Sequence, residues 1–399
     1  MPNHLYTPRS REDHQAISDA HGGLRVFWQL TTDELRSSAS KWNVRHLIAY
    51  RLLINPLEWK TLPCLNDHNE SCSLCNPELT HQNLDWGIVQ SLVGSNPDGI
   101  TTKSDSELLS LPLGQFWVDL ARAIRHDRDV EPRLHPQRDR RMVQKEGYQN
   151  SSTVIHGSSS PTIPSSSEYE FEMGLEREDI DKDEHDARRT RPEEVTIRLV
   201  ISFLEHALLR CLLQHNLRDT EVRPRDDGGI CKMRKRYGFW EVEHPYQALL
   251  EAKRVFKDIE FNEKENKHVP VLSNEYLAQY LGEAVITWGS NQQLLGDGIF
   301  VVAAVGTFVR FIRYEFGCNY AEYLSATTLN GQLDIISDPG KDTFVHMHGT
   351  RWFNIQSSEG RRGALCCLLA LHRWFDPGLE GDSDFESDAM ESIDGQSQS

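Results

Sequence analysis

The chain has 399 residues, 60 acidic against 43 basic, eight cysteines and a mean hydropathy of -0.55. No run of eighteen apolar residues occurs, which excludes a membrane-spanning helix, and the N-terminus MPNHLYTPRSREDHQ lacks the apolar core of a secretory signal. Cysteines scattered through apolar contexts, such as Cys211, Cys366 and Cys367, argue against a disulfide framework and fit a reducing compartment. The expectation is a soluble intracellular protein, nuclear or cytoplasmic, neither secreted nor bound to membrane.

The net charge of -17 looks hostile to nucleic acid until it is located. Residues 376–399 carry eight acidic residues and no Lys or Arg, and 168–186 carry ten against Arg177 and Lys182. The remainder is close to neutral, so a phosphate-bearing partner is not excluded.

In chain order, residues 1–20 read as polar and loose. Between 23 and 128 the helix-like stretches ELRSSASKWNVRHLIAYRLL and LPLGQFWVDLARAIRHD alternate with loops, and the second places Phe116, Trp117, Leu120 and Ile124 at helical spacing. This predicts a mostly helical N-terminal accessory region over 1–128. Residues 129–191, with a basic run, GSSSPTIPSSS and the acidic block, read as a disordered linker. A domain of helices and strands follows over 192–376, and 377–399 reads as a disordered acidic tail.

Within that domain a largely apolar helix is expected over 192–216, starting at Pro192. Strand-like pieces follow the turn-forming Asp227-Gly228-Gly229 and lead to HPYQALLEAKRVF (244–256). A polar loop at 257–270 precedes a helix over 273–288. A strand pair turning near Gly306 (298–316), a strand around 343–348 and a helix over 361–375 complete a mixed α/β layer arrangement.

HPYQALLEAKRVF holds the central question, because Glu251 and Lys253 end an apolar strand. Charges almost never enter a core unpaired. Alternation puts Glu251 and Lys253 on one strand face and Ala252 on the other. The same triplet occurs at Glu58/Lys60 and Glu265/Lys267, but in loop-like settings, so only the middle copy ends a strand. An edge ion pair worth little is one reading. The other is chemical: phosphodiester hydrolysis needs a hard divalent cation held by carboxylates, and a cation nearby to orient the attacking water and offset developing charge. That chemistry asks for a second, upstream carboxylate. Asp226 and Asp227 are candidates, Glu241 and Glu243 being nearer but in a different strand setting, although Asp-Asp-Gly-Gly taken alone reads first as an ordinary turn.

The order of these features resembles the PD-(D/E)XK nuclease superfamily, especially its fungal nuclease-like members. The family core runs as a helix with a Glu, a strand with an Asp, a strand ending in (D/E)-x-K, and a helix often bearing Gln. Here Glu205 in FLEHALL, Asp226 or Asp227, Glu251-Ala252-Lys253, and Gln279 in LAQYLGEA occupy those places. The resemblance covers about half of the chain and implies a restriction-endonuclease-like fold. It further implies a DNA-cleaving activity that uses Mg, with Mn as the alternative. Glu251 and an upstream Asp would bind the metal, Lys253 would orient the attacking water, and Glu205 and Gln279 would complete the site. The gap from Asp227 to Glu251 is long for the family and no PD dipeptide precedes the turn. Hence the alternative of an inactive nuclease-like module that binds nucleic acid or protein.

Each of these residues also has a plainer reading. Glu205 shares a polar helix side with Arg198 and Arg210, and Gln279 lies between Glu275 and Glu283 in a polar stripe. Arg254 should face away from Lys253. Arg310, Arg313, Arg351, Arg361 and Arg362 offer phosphate contacts, or are merely solvated. Finally, CLNDHNESCSLCNPELTH holds Cys64, His68, Cys72, Cys75 and His81, but only one C-x2-C pair. Structural zinc at Cys64, Cys72 and Cys75 is therefore not expected, and reduced thiols are.

Overall fold

The computed structural model describes residues 5–56, 60–66, 72, 74, 84–125, 193–211, 220–225, 229–253, 259–262 and 267–375. It is a mixed α/β body with one mixed central sheet flanked by helices. The expected linker and acidic tail lie outside the described residues.

The N-terminal part opens with α1 (Arg11–Ala20), in a stretch that reads as loose. Ser10 and Asp13 cap it reciprocally, and its inward side is polar: His14 bonds the Ile48 carbonyl and Ser18 donates to the Leu24 carbonyl. A helix that buries His and Ser rather than Leu leaves no apolar period to read.

The single helix expected over 34–53 is instead α2 (Thr32–Leu35), a 3-10 turn at Ala39–Lys41, α3 (Val44–Ala49) and a strand, β1 (Leu52–Ile54). Asn43 accepts from the Arg45 amide and starts α3 afresh, while Arg51, at φ 60°, turns the chain out of it. Further on come α4 (Trp86–Val93), α5 (Asp105–Leu109) and α6 (Gly114–Ile124).

The C-terminal part begins with α7 (Glu193–Glu205), continued by a π-helical turn at His206–Arg210. Three antiparallel strands follow, β2 (Thr220–Arg225), β3 (Gly229–Arg236) and the long β4 (Phe239–Lys253). In the stretch read as a polar loop, β5 (Ile259–Asn262) and β6 (Lys267–Pro270) pair as a separate small sheet. Then come α8 (Asn274–Leu295) and the hairpin of β7 (Gly298–Val305) and β8 (Phe308–Phe316), turning at Gly306 with φ 58°. Short helices α9 (Tyr320–Ser325) and α10 (Leu329–Ser337), β9 (Val345–Gly349), β10 (Phe353–Asn354) and α11 (Ser358–Phe375) end the described chain.

The sheet runs β1-β9-β8-β7-β4-β3-β2, with β10 added alongside β8. Strand β4 pairs parallel with β7, and β1 pairs parallel with β9. One face carries Ala248, Ala252, Val302 and Phe311 and packs against α4, α6, α7 and α11. The other carries Leu249, Val301, Ala303 and Ile312 and packs against α3, α8 and α9. Leu281 and Ala284 of α8 are fully buried there, and each buried side chain of leucine size contributes about 1.5–3 kcal/mol. Gly282 lets α8 come close: a Cβ there would lie 2.7 Å from the Ala39 Cβ and 3.0 Å from the Trp42 ring.

Residues 1–128 are therefore not an accessory body beside 192–376. They supply a strand to the shared sheet and helices to both of its faces. Their buried side chains belong to the two cores that residues 193–375 also fill.

Candidate active site

Only the last six residues of β4, Ala248–Lys253, lie against β7. Alternation turns Leu249, Glu251 and Lys253 toward α8, with Ala252 in the core on the opposite face. The Lys253 ammonium lies 3.3 Å from the Glu251 carboxylate. Lys253 is only 6% exposed, so this is a buried ion pair and not a solvated edge contact.

Two more carboxylates join it. Glu193, the first residue of α7, places an oxygen 3.7 Å from the Lys253 ammonium. Glu283 of α8 interacts electrostatically with both Lys253 and Glu251. Burial pushes the Glu251 carboxyl above its ordinary value, and the charges of Glu283 and Glu193 add to that, with Lys253 opposing. Burial likewise raises Glu283, again opposed by Lys253. One ammonium thus serves three carboxylates, and the centre is short of positive charge.

Tyr276 closes the site from α8, its ring centroid 5.8 Å from the Lys253 ammonium. Gln279 stands between Tyr276 and Glu283 at helical spacing, half-buried on the same face of α8. Glu205 is not brought in: it lies twelve residues along α7 from Glu193, about 18 Å at 1.5 Å per residue, and is exposed. The helix is the expected one, but its acid at the site is Glu193.

Asp226, Asp227 and Arg254 lie outside the described residues. The strand ends flanking the two aspartates are described, however. Arg225 pairs with Gly229, and Gly229, at φ 112°, sits so close to β4 that a Cβ would collide with the Ala248 carbonyl and the Leu249 Cα. Arg225 and Gly229 therefore stand at the end of β4 that carries Glu251.

Across the sheet, Glu251 pairs with Ala303 and Ala303 with Arg310, so all three side chains share a face in one row. Two strand spacings separate Glu251 from Arg310, about 10 Å. Arg310 is 8% exposed, its guanidinium stacks 4.5 Å from the Trp352 centroid, and its Nε has no hydrogen-bond partner. No carboxylate pairs with it among the described residues, and burial lowers its pKa to about 9. Three of the other arginines singled out in the sequence have structural partners, and the fourth, Arg362, is exposed. Arg313 pairs with Asp297 at 2.7 Å, Arg351 with Glu359 at 3.4 Å, and Arg361 donates to the carbonyls of Leu92, Gly94, Ile355 and Gln356.

For a divalent metal, the donor chemistry fits in part: half-buried carboxylates short of positive charge are what a hard cation neutralises. Among the described residues no three of His, Cys, Asp and Glu form a ligand group. A full set would draw on Glu251, Glu283 and Asp226 or Asp227. Zinc finds no centre in the described part of the cysteine segment either. Cys72 is buried with its sulfur 3.5 Å from that of Cys366, and Cys64 lies beside Arg313, while His68, Cys75 and His81 are outside the described residues. No helix among the described residues is long and apolar enough to cross a membrane.

No family model, curated protein or solved structure matches this chain.

Sequence reasoning missed Glu193, Glu283 and Arg310 as neighbours of the pair. Glu283 had a local signal, since it lies one turn after Gln279. Glu193 and Arg310 had none, because strand pairing and the docking of α7 alone bring them there.

Proposed function

We propose that the protein is a metal-dependent nuclease hydrolysing phosphodiester bonds of DNA, with a restriction-endonuclease-like core of the PD-(D/E)XK type. The observation that carries this reading is the Glu251–Lys253 pair at the end of β4, with Arg225 and Gly229, the residues on either side of Asp226–Gly228, paired at that same end of the sheet. The order α7, β3, β4, α8 keeps the family's order of helix, strand, E-x-K strand and Gln-bearing helix.

Glu251, with Glu283 and Asp226 or Asp227, would hold Mg or Mn. The metal would supply Lewis acidity at the phosphate and a water of lowered pKa. The chain's own groups do the rest. Lys253 holds the attacking water by a hydrogen bond and offsets charge on the phosphoryl oxygens. Gln279 and Tyr276 wall the site from the α8 side. Arg310, a cation in the same row with no carboxylate partner among the described residues, supplies the positive charge that a second phosphate needs.

Plasmid cleavage with Mg²⁺ or Mn²⁺ tests the proposal. Wild type should cut, Glu251→Gln and Lys253→Ala should lose at least a hundredfold, and Arg254→Ala should cut like wild type. A metal-loaded wild type that leaves plasmid intact would refute catalysis. Binding without turnover is then the reading that remains, and the displacement of Glu205 from the site favours it.

A further inference from the structure

The β3–β4 hairpin extends beyond the rest of the sheet. Among the described residues, Phe239–Gln247 of β4 have no partner in β7, and β3 pairs with β2 only as far as Arg234. What remains is a two-stranded ribbon closed by Tyr237 and Gly238, both with positive φ, at 51° and 85°. Such a turn favours Asn-Gly, and a bulky ring in the left-handed region is disfavoured. Yet Tyr237 is 98% exposed and Phe239 75% exposed, so neither ring helps to hold the fold.

Charge follows the same pattern. Lys235 stands opposite Trp240 and Arg236 opposite Phe239, so each exposed cation faces an aromatic ring across the ribbon. From Gly229 to Trp240 there is no acidic residue, and Glu241 stands opposite Arg234. Lys232–Val242 contains no Asn, Gln, Ser or Thr, which leaves Lys, Arg and Glu241 as the side chains there that could read base edges.

We infer that this tip binds single-stranded nucleic acid without sequence preference, Lys235 and Arg236 taking the phosphates and Tyr237 and Phe239 stacking on unpaired bases. Exposed rings need bases that are already unstacked, which favours a single strand over a duplex. The tip lies twelve residues up β4 from Glu251, about 40 Å at 3.3 Å per residue, so it is separate from the proposed active site.

The test is fluorescence anisotropy of a labelled twenty-nucleotide oligo-dT with the full chain, in EDTA so that no strand is cut. Wild type should bind, and Tyr237→Ala with Phe239→Ala should weaken binding about tenfold or more. Tyr237→Asn, which suits the turn better, should keep the fold and still weaken binding. Lys235→Gln with Arg236→Gln should flatten the salt dependence by about 1.4 in log–log slope. The inference is overturned if wild type does not bind, or if the double aromatic variant binds equally well. It is also overturned if a duplex of the same length binds as tightly, or if only anionic lipid vesicles are bound. A wild type that binds oligo-dT through the tip but never cuts DNA would sink the nuclease proposal alone.

Discussion

Lys253→Met removes the one cation at a centre of three carboxylates while keeping an apolar stem of similar length. At 3.3 Å the Lys253–Glu251 attraction is about 5 kcal/mol gross at an effective dielectric of ~20. Desolvation offsets much of this in the intact pair. Removing one partner nevertheless strands the other, which costs about 3–5 kcal/mol when the pair is buried. Glu251 keeps 18% of its side-chain exposure and Glu193 43%, so we expect the lower end, about 3 kcal/mol at pH 8. The pH dependence has a definite sign. Glu251 and Glu283 have folded pKa values above their ordinary ones, so the stability they contribute is complete at pH 4 and is lost as pH rises through the folded values. Lys253 opposes that loss, and without it both carboxyls titrate higher still. The deficit of the variant should therefore be largest at pH 8 and shrink as pH falls toward 4. Urea unfolding followed by tryptophan fluorescence at pH 4, 6 and 8 measures it. A deficit under about 1 kcal/mol at pH 8, or one equal at pH 4 and pH 8, would refute the argument that Lys253 compensates buried acids.

Arg310→Met should stabilise the fold by about 1 kcal/mol or more in urea titrations, since it removes a buried cation that has no carboxylate partner among the described residues, while plasmid cleavage falls. A destabilised variant would mean that stacking on Trp352 outweighs the desolvation. Gly229→Ala should cost about 3 kcal/mol or more and should disturb activity, because its Cβ meets the Ala248 carbonyl beside the site; thermal melts within a degree of wild type would contradict this. Finally, protease nicked between 126 and 192 should leave two fragments that co-elute in gel filtration, because both contribute to one sheet and to both cores. Residues 190–399 expressed alone should fail to give cooperative unfolding, and a well-folded fragment would show that the N-terminal part is dispensable.

Much of the C-terminal half was legible in the sequence because its elements bury one kind of surface. The run GIFVVAAVGTFVRFIRYEF is apolar on both faces with one glycine at the turn, and a central hairpin follows from that. Glu251 and Lys253 sharing a face follows from the two-residue period of a strand. Burial of the pair does not follow, since it depends on α8 lying over it, which Gly282 permits through its approach to Ala39 and Trp42. Helices α9 and α10 were missed because they are short and tied down by polar contacts: Tyr320 and Tyr323 donate to the carbonyls of Tyr50 and Ala49. The exchange of Glu205 for Glu193 illustrates the same limit. A helix pattern reports which residues face inward, not which end of the helix reaches a strand terminus.

The pairing of Leu52 with Val345 also sets a timetable for the chain during its synthesis. About 290 residues separate these partners, and at about 5–20 residues per second a ribosome needs roughly 15–60 s to supply the second after the first. Through that interval the apolar sides of α3, α4 and α6 are complete but have no sheet to cover. The nascent N-terminal part must be held by chaperones or collapse on itself, and the closing contact is entropically late. Substitutions in Leu47, Ile48 or Leu52 would then reduce the yield of protein in cells more than they lower the melting temperature of the molecules that do finish.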